Sequence, residues 1–208
     1  MWYTIIYSFV FLQINLSVSD TQKLSTAVSV TRNEKEVLVN TRVNGLFTND
    51  IIEGINRGFT SYVEYSVDIW CDKVLWLKQL VQRKKFGFYI SYDLWTREYK
   101  VRDIYGEVTS VNDFEAVLNK VCIQNDISIC PVKVLNNSKT YYVVVKTMLK
   151  PVLTENLNDI VSYTRGEIEQ VKKKENSNLF LHLLEQAKDI AGLGDRVIIG
   201  KSEVFKRE

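Results

Sequence analysis

Between Lys84 and Asp103 the chain reads KKFGFYISYDLWTREYKVRD, with Phe86, Phe88, Ile90 and Tyr92 at every second position against Gly87, Tyr89 and Ser91. Successive side chains of a strand point to opposite faces, so this alternation gives the segment one apolar face. DLWT supplies a turn and REYKVRDIYGE the return arm. The segment is therefore a hairpin whose rings face a core or a cross-strand ladder. The same rhythm runs upstream. Leu24, Thr26, Val28 and Val30 alternate in one segment and Val37, Val39, Thr41 and Val43 in the next, with the polar TRNEKE between them. That pattern predicts a second hairpin. Val63, Tyr65, Val67 and Ile69 alternate with Glu64, Ser66 and Asp68, as in a half-buried antiparallel strand. KTYYVVVKTMLKPVL is apolar on both faces from Tyr141 to Val145, as a central strand would be, and Pro151 ends it. CDKVLWLKQLVQRKK fits no single period, which leaves a long bent strand or a short helical turn.

Two stretches switch to helical spacing. In GLFTNDIIEGINRGF the residues Thr48, Asn49 and Asp50 are candidate N-caps, Asp50 and Glu53 have the spacing of a capping pair, and Gly58 is placed as a stop. The short helix between them would pack Ile51, Ile52 and Ile55 inward. SVNDFEAVLNKVC brings Phe114, Val117, Leu118 and Val121 to one face behind Asn112 or Asp113 as cap. Beyond Leu153 the chain turns polar, and TENLNDIVSYTRGEIEQVKKKENSN reads as a linker with a weak helix. LFLHLLEQAKDIAGLGD follows as a helix stopped by Gly192 or Gly194, and RVIIGKSEVF as a last strand. The expected architecture is mainly β: an antiparallel, sandwich-like domain over residues 20–153 with two short helices across its edges. Residues 154–208 would form an appendage of linker, helix and terminal strand.

Composition sets the compartment and excludes some functions. Nearly half of the 208 residues are apolar and a quarter charged, with only two prolines and nine glycines, so the chain can bury its own core. A formal charge of +2 gives no reason to expect nucleic-acid binding. The run Lys172, Lys173, Lys174 is answered by Glu167, Glu169 and Glu175, as on a solvated helix face or linker. The first residues, MWYTIIYSFVFLQINLSVSD, are apolar from Trp2 to about Leu16 and carry no charged side chain before Asp20. They are shorter than the ~20 residues a spanning helix needs. Ser17 and Ser19 flank Val18 as in a cleavage site, so residues 1–19 read as a signal peptide or an N-terminal anchor. The expected location is extracytoplasmic, periplasmic or secreted. In that setting Cys122 and Cys130, which enclose IQNDISI, form a candidate disulfide if the chain turns back there. The other reading buries all three cysteines, Cys71 included, as apolar-like side chains.

The residues offer little chemistry. His182 is the one histidine and lies in the apolar run FLHLLEQ, which suits a helix residue better than a general base. GLGD at Gly192 to Asp195 follows a helix where a phosphate loop would open one. Asp68 with Asp72, or Asp93 with Glu98, have the composition of an acid–base pair, and equally that of strand ends and turns. Trp70, Trp76 and Trp95 have rings suited to stacking sugars or bases, and equally to packing a core. The expectation is no catalytic residue, no cofactor and no metal.

The ordered set of GLFTNDIIEGINRGF, EYSVDIW, YDLWTREYKV, SVNDFEAVLNKV and a closing strand ending LKPVL resembles the bacterial family catalogued as domain of unknown function 4390. The likeness rests on Phe47 and Thr48 opening a helix ended by Gly58, on the Tyr92 and Asp93 turn, and on the return strand Tyr99 to Val101. It covers roughly Lys23 to Leu153, and IEQVKKKENSN departs from the apolar, tryptophan-bearing ending of relatives. The resemblance implies an exported protein of about this length with no established activity. Some relatives are encoded near membrane sensor kinases, which implies a modulator of such a receptor as an alternative. The favoured expectation is a non-enzymatic binding or accessory module with a protein partner and no nucleic acid. It would work through a strand edge or the hairpin tip, with Tyr89, Trp95 and Arg97 as contacts. Envelope association through the N-terminus, helped by Lys172 to Lys174, is the remaining alternative.

Overall fold

The computed structural model describes residues 23–72, 78–151 and 194–207. The N-terminal stretch 1–19, Trp76, the linker with Lys172 to Lys174 and the expected helix with His182 lie outside them.

The first hairpin forms as its alternation predicts. β1 (Ser25–Arg32) pairs antiparallel with β2 (Glu36–Asn44), and Val37, Val39, Thr41 and Val43 are buried. Asn33 closes the turn by accepting from the backbone N–H groups of Lys35 and Glu36 at 2.9 and 2.7 Å. α1 (Asn49–Asn56) follows, burying Ile51 and Ile55 and leaving Ile52 half-buried. Thr48 is its N-cap without a side-chain capping bond. Gly58, at φ +98°, takes the left-handed conformation that ends the helix, while Phe59 N–H donates to the Gly54 carbonyl at 3.1 Å.

β3 (Ser61–Asp72) turns Val63, Tyr65, Val67 and Ile69 inward with no exposed surface at all. β4 (Lys78–Asp93) settles the ambiguous stretch as far as it is described: from Lys78 it is a strand of 16 residues. β5 (Glu98–Asp103) is its return arm, and the four-residue β6 (Val108–Val111) lies beyond it at the sheet edge. α2 (Phe114–Cys122) is capped by Asp113, whose carboxylate accepts from Ala116 N–H at 2.7 Å. β7 (Ile123–Pro131) runs extended through IQNDISI, so the chain does not turn back between Cys122 and Cys130. β8 (Thr140–Lys150), β9 (Arg196–Lys201) and β10 (Phe205–Lys206) complete the order.

Two sheets result. The smaller runs β1-β2-β7, and the larger has seven strands in the order β10-β8-β3-β4-β5-β6 with β9 also on β8. β9 and β10 lie along one edge of β8. Between them Ser202 exchanges two bonds of 2.9 Å with the Val143 backbone, giving its N–H to the carbonyl and taking the N–H on its hydroxyl. The terminal strand is thus no appendage: among the described residues β9 and β10 fill the edge of β8 opposite β3 and extend the large sheet. The fold is mainly antiparallel β with two short helices, as the periodicity predicts.

The core lies between the sheets. β1 crosses so close to β9 that a Cβ at Gly200 would stand 2.5 Å from Thr26 Cγ2 and 2.7 Å from Val28 Cγ2. At the other side Lys84 of β4 donates to the Ser128 carbonyl of β7 at 2.9 Å. Tyr65, fully buried, sends its hydroxyl 2.7 Å to the Val121 carbonyl in the last turn of α2 and stacks on Phe86 at 5.0 Å. Tyr99 donates to Asn56 Oδ1 at 2.7 Å and meets Phe114 edge-on, so one ring joins β5 to both helices. The rings of FGFYISY that alternate with Gly87 and Tyr89 are therefore internal. They fix the helices on the sheet and leave the β4–β5 tip as the part that reaches outward.

Candidate functional site

The tip is built from Asp93 outward. Its carboxylate accepts the backbone N–H groups of Trp95 and Thr96 at 2.9 and 3.2 Å and binds Lys100 Nζ of the return strand. Arg97 N–H closes the turn on the Asp93 carbonyl at 2.8 Å, and Arg97 itself sits at φ +59°. A non-glycine residue in the left-handed region stores local strain, which this bonding holds in place. Leu94 and Trp95 are thereby carried outward on a braced turn, 62% and 96% exposed.

Lys100 first, then the two backbone donors, hold the Asp93 carboxyl well below its usual 3.8, at about 2. A depressed carboxylate stabilises the folded turn above its unfolded pKa, and that contribution disappears as pH falls through the folded value. The turn should therefore stay closed down to about pH 3.8 and loosen between there and about pH 2. Trp95 fluorescence would follow the loosening, and Asp93→Asn should remove the transition; the same titration in both proteins would refute this assignment.

The other expected contacts divide. Arg97 is exposed on the tip beside Trp95, whereas Tyr89 is half-buried on the outer face of the large sheet. There it packs on Tyr62 at 4.7 Å under the Arg102 guanidinium, 4.8 Å from its ring centroid. Tyr89 belongs to that face rather than to the tip, because Tyr89, Ser91 and Asp93 share a side that the turn itself does not present.

The candidate disulfide is corrected. All three cysteines are buried, and Cys122 and Cys130 are not bonded to each other. Cys122 ends α2 and Cys130 lies near the end of β7, so an extended strand of about 3.3 Å per residue holds them about 20 Å or more apart. A disulfide needs Cα atoms within about 7 Å. Burial pushes the Cys122 thiol up to about 12 and raises Cys130 as well, so both are held as uncharged thiols.

The paired carboxylates also have structural duties. Asp68 receives Arg83 in a two-point bond of 2.7 Å on each arm, and Asp93 serves the turn. Among the described residues no group of three His, Cys, Asp or Glu side chains is placed to hold a metal ion. No described helix is long and apolar enough to cross a membrane. What the sequence reading missed is a set of cations around the rings of the large sheet: Lys78 and Lys201 over Tyr142, and Arg102 over Tyr89. The signal was present as Lys100 and Arg102, or Arg83 and Lys85, at the same period of two as the rings.

Fold and tip together define an antiparallel two-sheet β domain that presents an aromatic hairpin tip. The chain belongs to the family of the domain of unknown function DUF4390, whose model matches residues 22–152. No curated protein and no solved structure matches it.

Proposed function

We propose that this chain is an exported, non-enzymatic binding module that grips a protein partner with its Leu94–Trp95 tip. The observation that carries the reading is Trp95, 96% exposed on a turn braced by Asp93. Covering a large apolar side chain is worth about 1.5–3 kcal/mol, and tryptophan is enriched among the few residues that dominate protein interfaces. A turn ordered before contact loses little further freedom on binding. Export is supported by the apolar stretch Trp2 to Leu16 followed by Ser17, Val18 and Ser19.

The test is recovery of partners from the host's envelope fraction with wild-type protein and with Trp95→Ala. Removal of an exposed side chain should change stability by less than about 0.5 kcal/mol. Partner recovery should fall at least tenfold, by roughly 1.4 kcal/mol or more in binding. Unchanged recovery with the variant would sink the tip as the contact. A full-length species confined to the cytosol would sink export.

A further inference from the structure

The outer face of the large sheet carries more cations than carboxylates. Strand register places on it Glu64 and Asp68 of β3, and each is matched by a cation of β4, Lys85 at 3.1 Å and Arg83 at 2.7 Å. Asp93 is taken by Lys100 in the same way across β4 and β5. Beyond these three pairs the register adds Glu98 of β5 and Asp72 of β3, the latter opposite Lys78, while five more cations lie on the face. Lys78 and Lys201 hold their ammonium groups over the Tyr142 ring at 5.7 and 4.1 Å, and Arg102 lies over Tyr89. Lys146 and Lys150 stand on the same side of β8. Those eight cations outnumber the five carboxylates that the register places beside them.

The geometry says what kind of anion suits it. The charges cover an open area of about 30 by 20 Å, from the spacing of residues along strands and of strands across the sheet. The rings of Tyr142 and Tyr89 already carry cations, so they are poor platforms for stacking bases, which favours a partner read by charge alone. Val197 and Ile199 of β9, 46% and 63% exposed, line up with Lys201 on this side, with Ile199 opposite Lys146. Basic side chains interleaved with exposed apolar ones match the headgroup layer of an anionic membrane, where each cation adds to attraction. We propose that this face docks the domain on an anionic lipid surface. It is a different surface from the Trp95 tip and stands whether or not the tip binds a protein.

The test uses the full chain, phosphatidylcholine vesicles, and phosphatidylcholine vesicles containing phosphatidylglycerol. The N-terminal apolar stretch is common to every variant, so the readout is the ratio of anionic to neutral partitioning. The ratio should exceed one, shrink as salt is raised, and fall by about tenfold or more in Lys146→Glu with Lys150→Glu. Lys35→Glu with Lys133→Glu makes the same change in net charge away from this face and should leave the ratio within about twofold of wild type. Lys146→Gln with Lys150→Gln repeats the test if the reversed pair melts early. Equal losses in the two reversed pairs, or a ratio of one in the wild type, would overturn the proposal. So would soluble polyglutamate that binds this face while anionic vesicles do not, which would make the partner an acidic polypeptide.

Discussion

Replacing Tyr65 with alanine should lower the unfolding free energy by about 4 kcal/mol, the largest loss expected from any single truncation described for this domain. The side chain has no exposed surface, stacks on Phe86 at 5.0 Å, and holds the last turn of α2 through a 2.7 Å bond to the Val121 carbonyl. Alanine would remove the ring and its bond to the helix and leave a void between β3 and α2. Tyr65→Phe separates the terms, because it keeps the ring and deletes the hydroxyl, and should cost about 1–2 kcal/mol. Urea unfolding followed by circular dichroism measures both. An alanine variant within about 1 kcal/mol of wild type would show that this ring does not anchor the helix.

Gly87→Ala should cost about 2–3 kcal/mol, although it adds a single methyl group. A Cβ there would stand 2.6 Å from the Val63 carbonyl oxygen, a main-chain atom in the middle of the sheet, and 2.7 Å from the Tyr62 hydroxyl. Tyr62 lies across the glycine, so the missing side chain is replaced by a neighbouring ring, as happens where a glycine sits inside a strand. Tyr62→Ala added to Gly87→Ala should recover only part of the loss, because the carbonyl obstacle stays. A thermal melt in which Gly87→Ala matches wild type would mean that β3 and β4 separate more easily than this register implies.

These two positions show how unevenly the fold is written in the chain. Tyr65 was legible as inward-facing from its place in the Val63, Tyr65, Val67, Ile69 alternation, since burial of one face requires period two. Its bond to Val121 was not, because 56 residues separate the two and nothing local to either names the other. Gly87 was visible only as a gap in an aromatic strand. β7 was missed for a physical reason. Its pairing with β2 shifts register between Val37 and Leu38 and again between Val39 and Thr41, and Asp126 sits at φ +52°, so its polar and apolar residues do not alternate cleanly. With that strand unrecognised, two cysteines that an extended segment keeps apart stayed a candidate pair beside the reading that buries all three, and the burial bears out the second.

The candidate site divides in the same way. DLWT as a turn follows from composition, and Asp93 as its organiser from the preference of aspartate side chains for nearby backbone N–H groups. The exposure of Trp95 depends on the arms that carry it. Tyr89 comes from the same aromatic stretch, yet lies under Arg102 and against Tyr62, a placement that requires β3, β4 and β5 to be side by side.

By itself, then, the sequence determined the local elements: period-two strands, two short helices with the Asp113 cap of the second, the turns at Asn33 and Asp93, and an inward apolar face, all set by interactions within a few residues. Only the tertiary structure decided the strand order, the placement of β9 and β10 on β8, the separation of Cys122 from Cys130, and the gathering of cations from β4, β5, β8 and β9 on one face. Those features join residues far apart in the chain, and period two places a charge outward without saying which other charges will stand beside it.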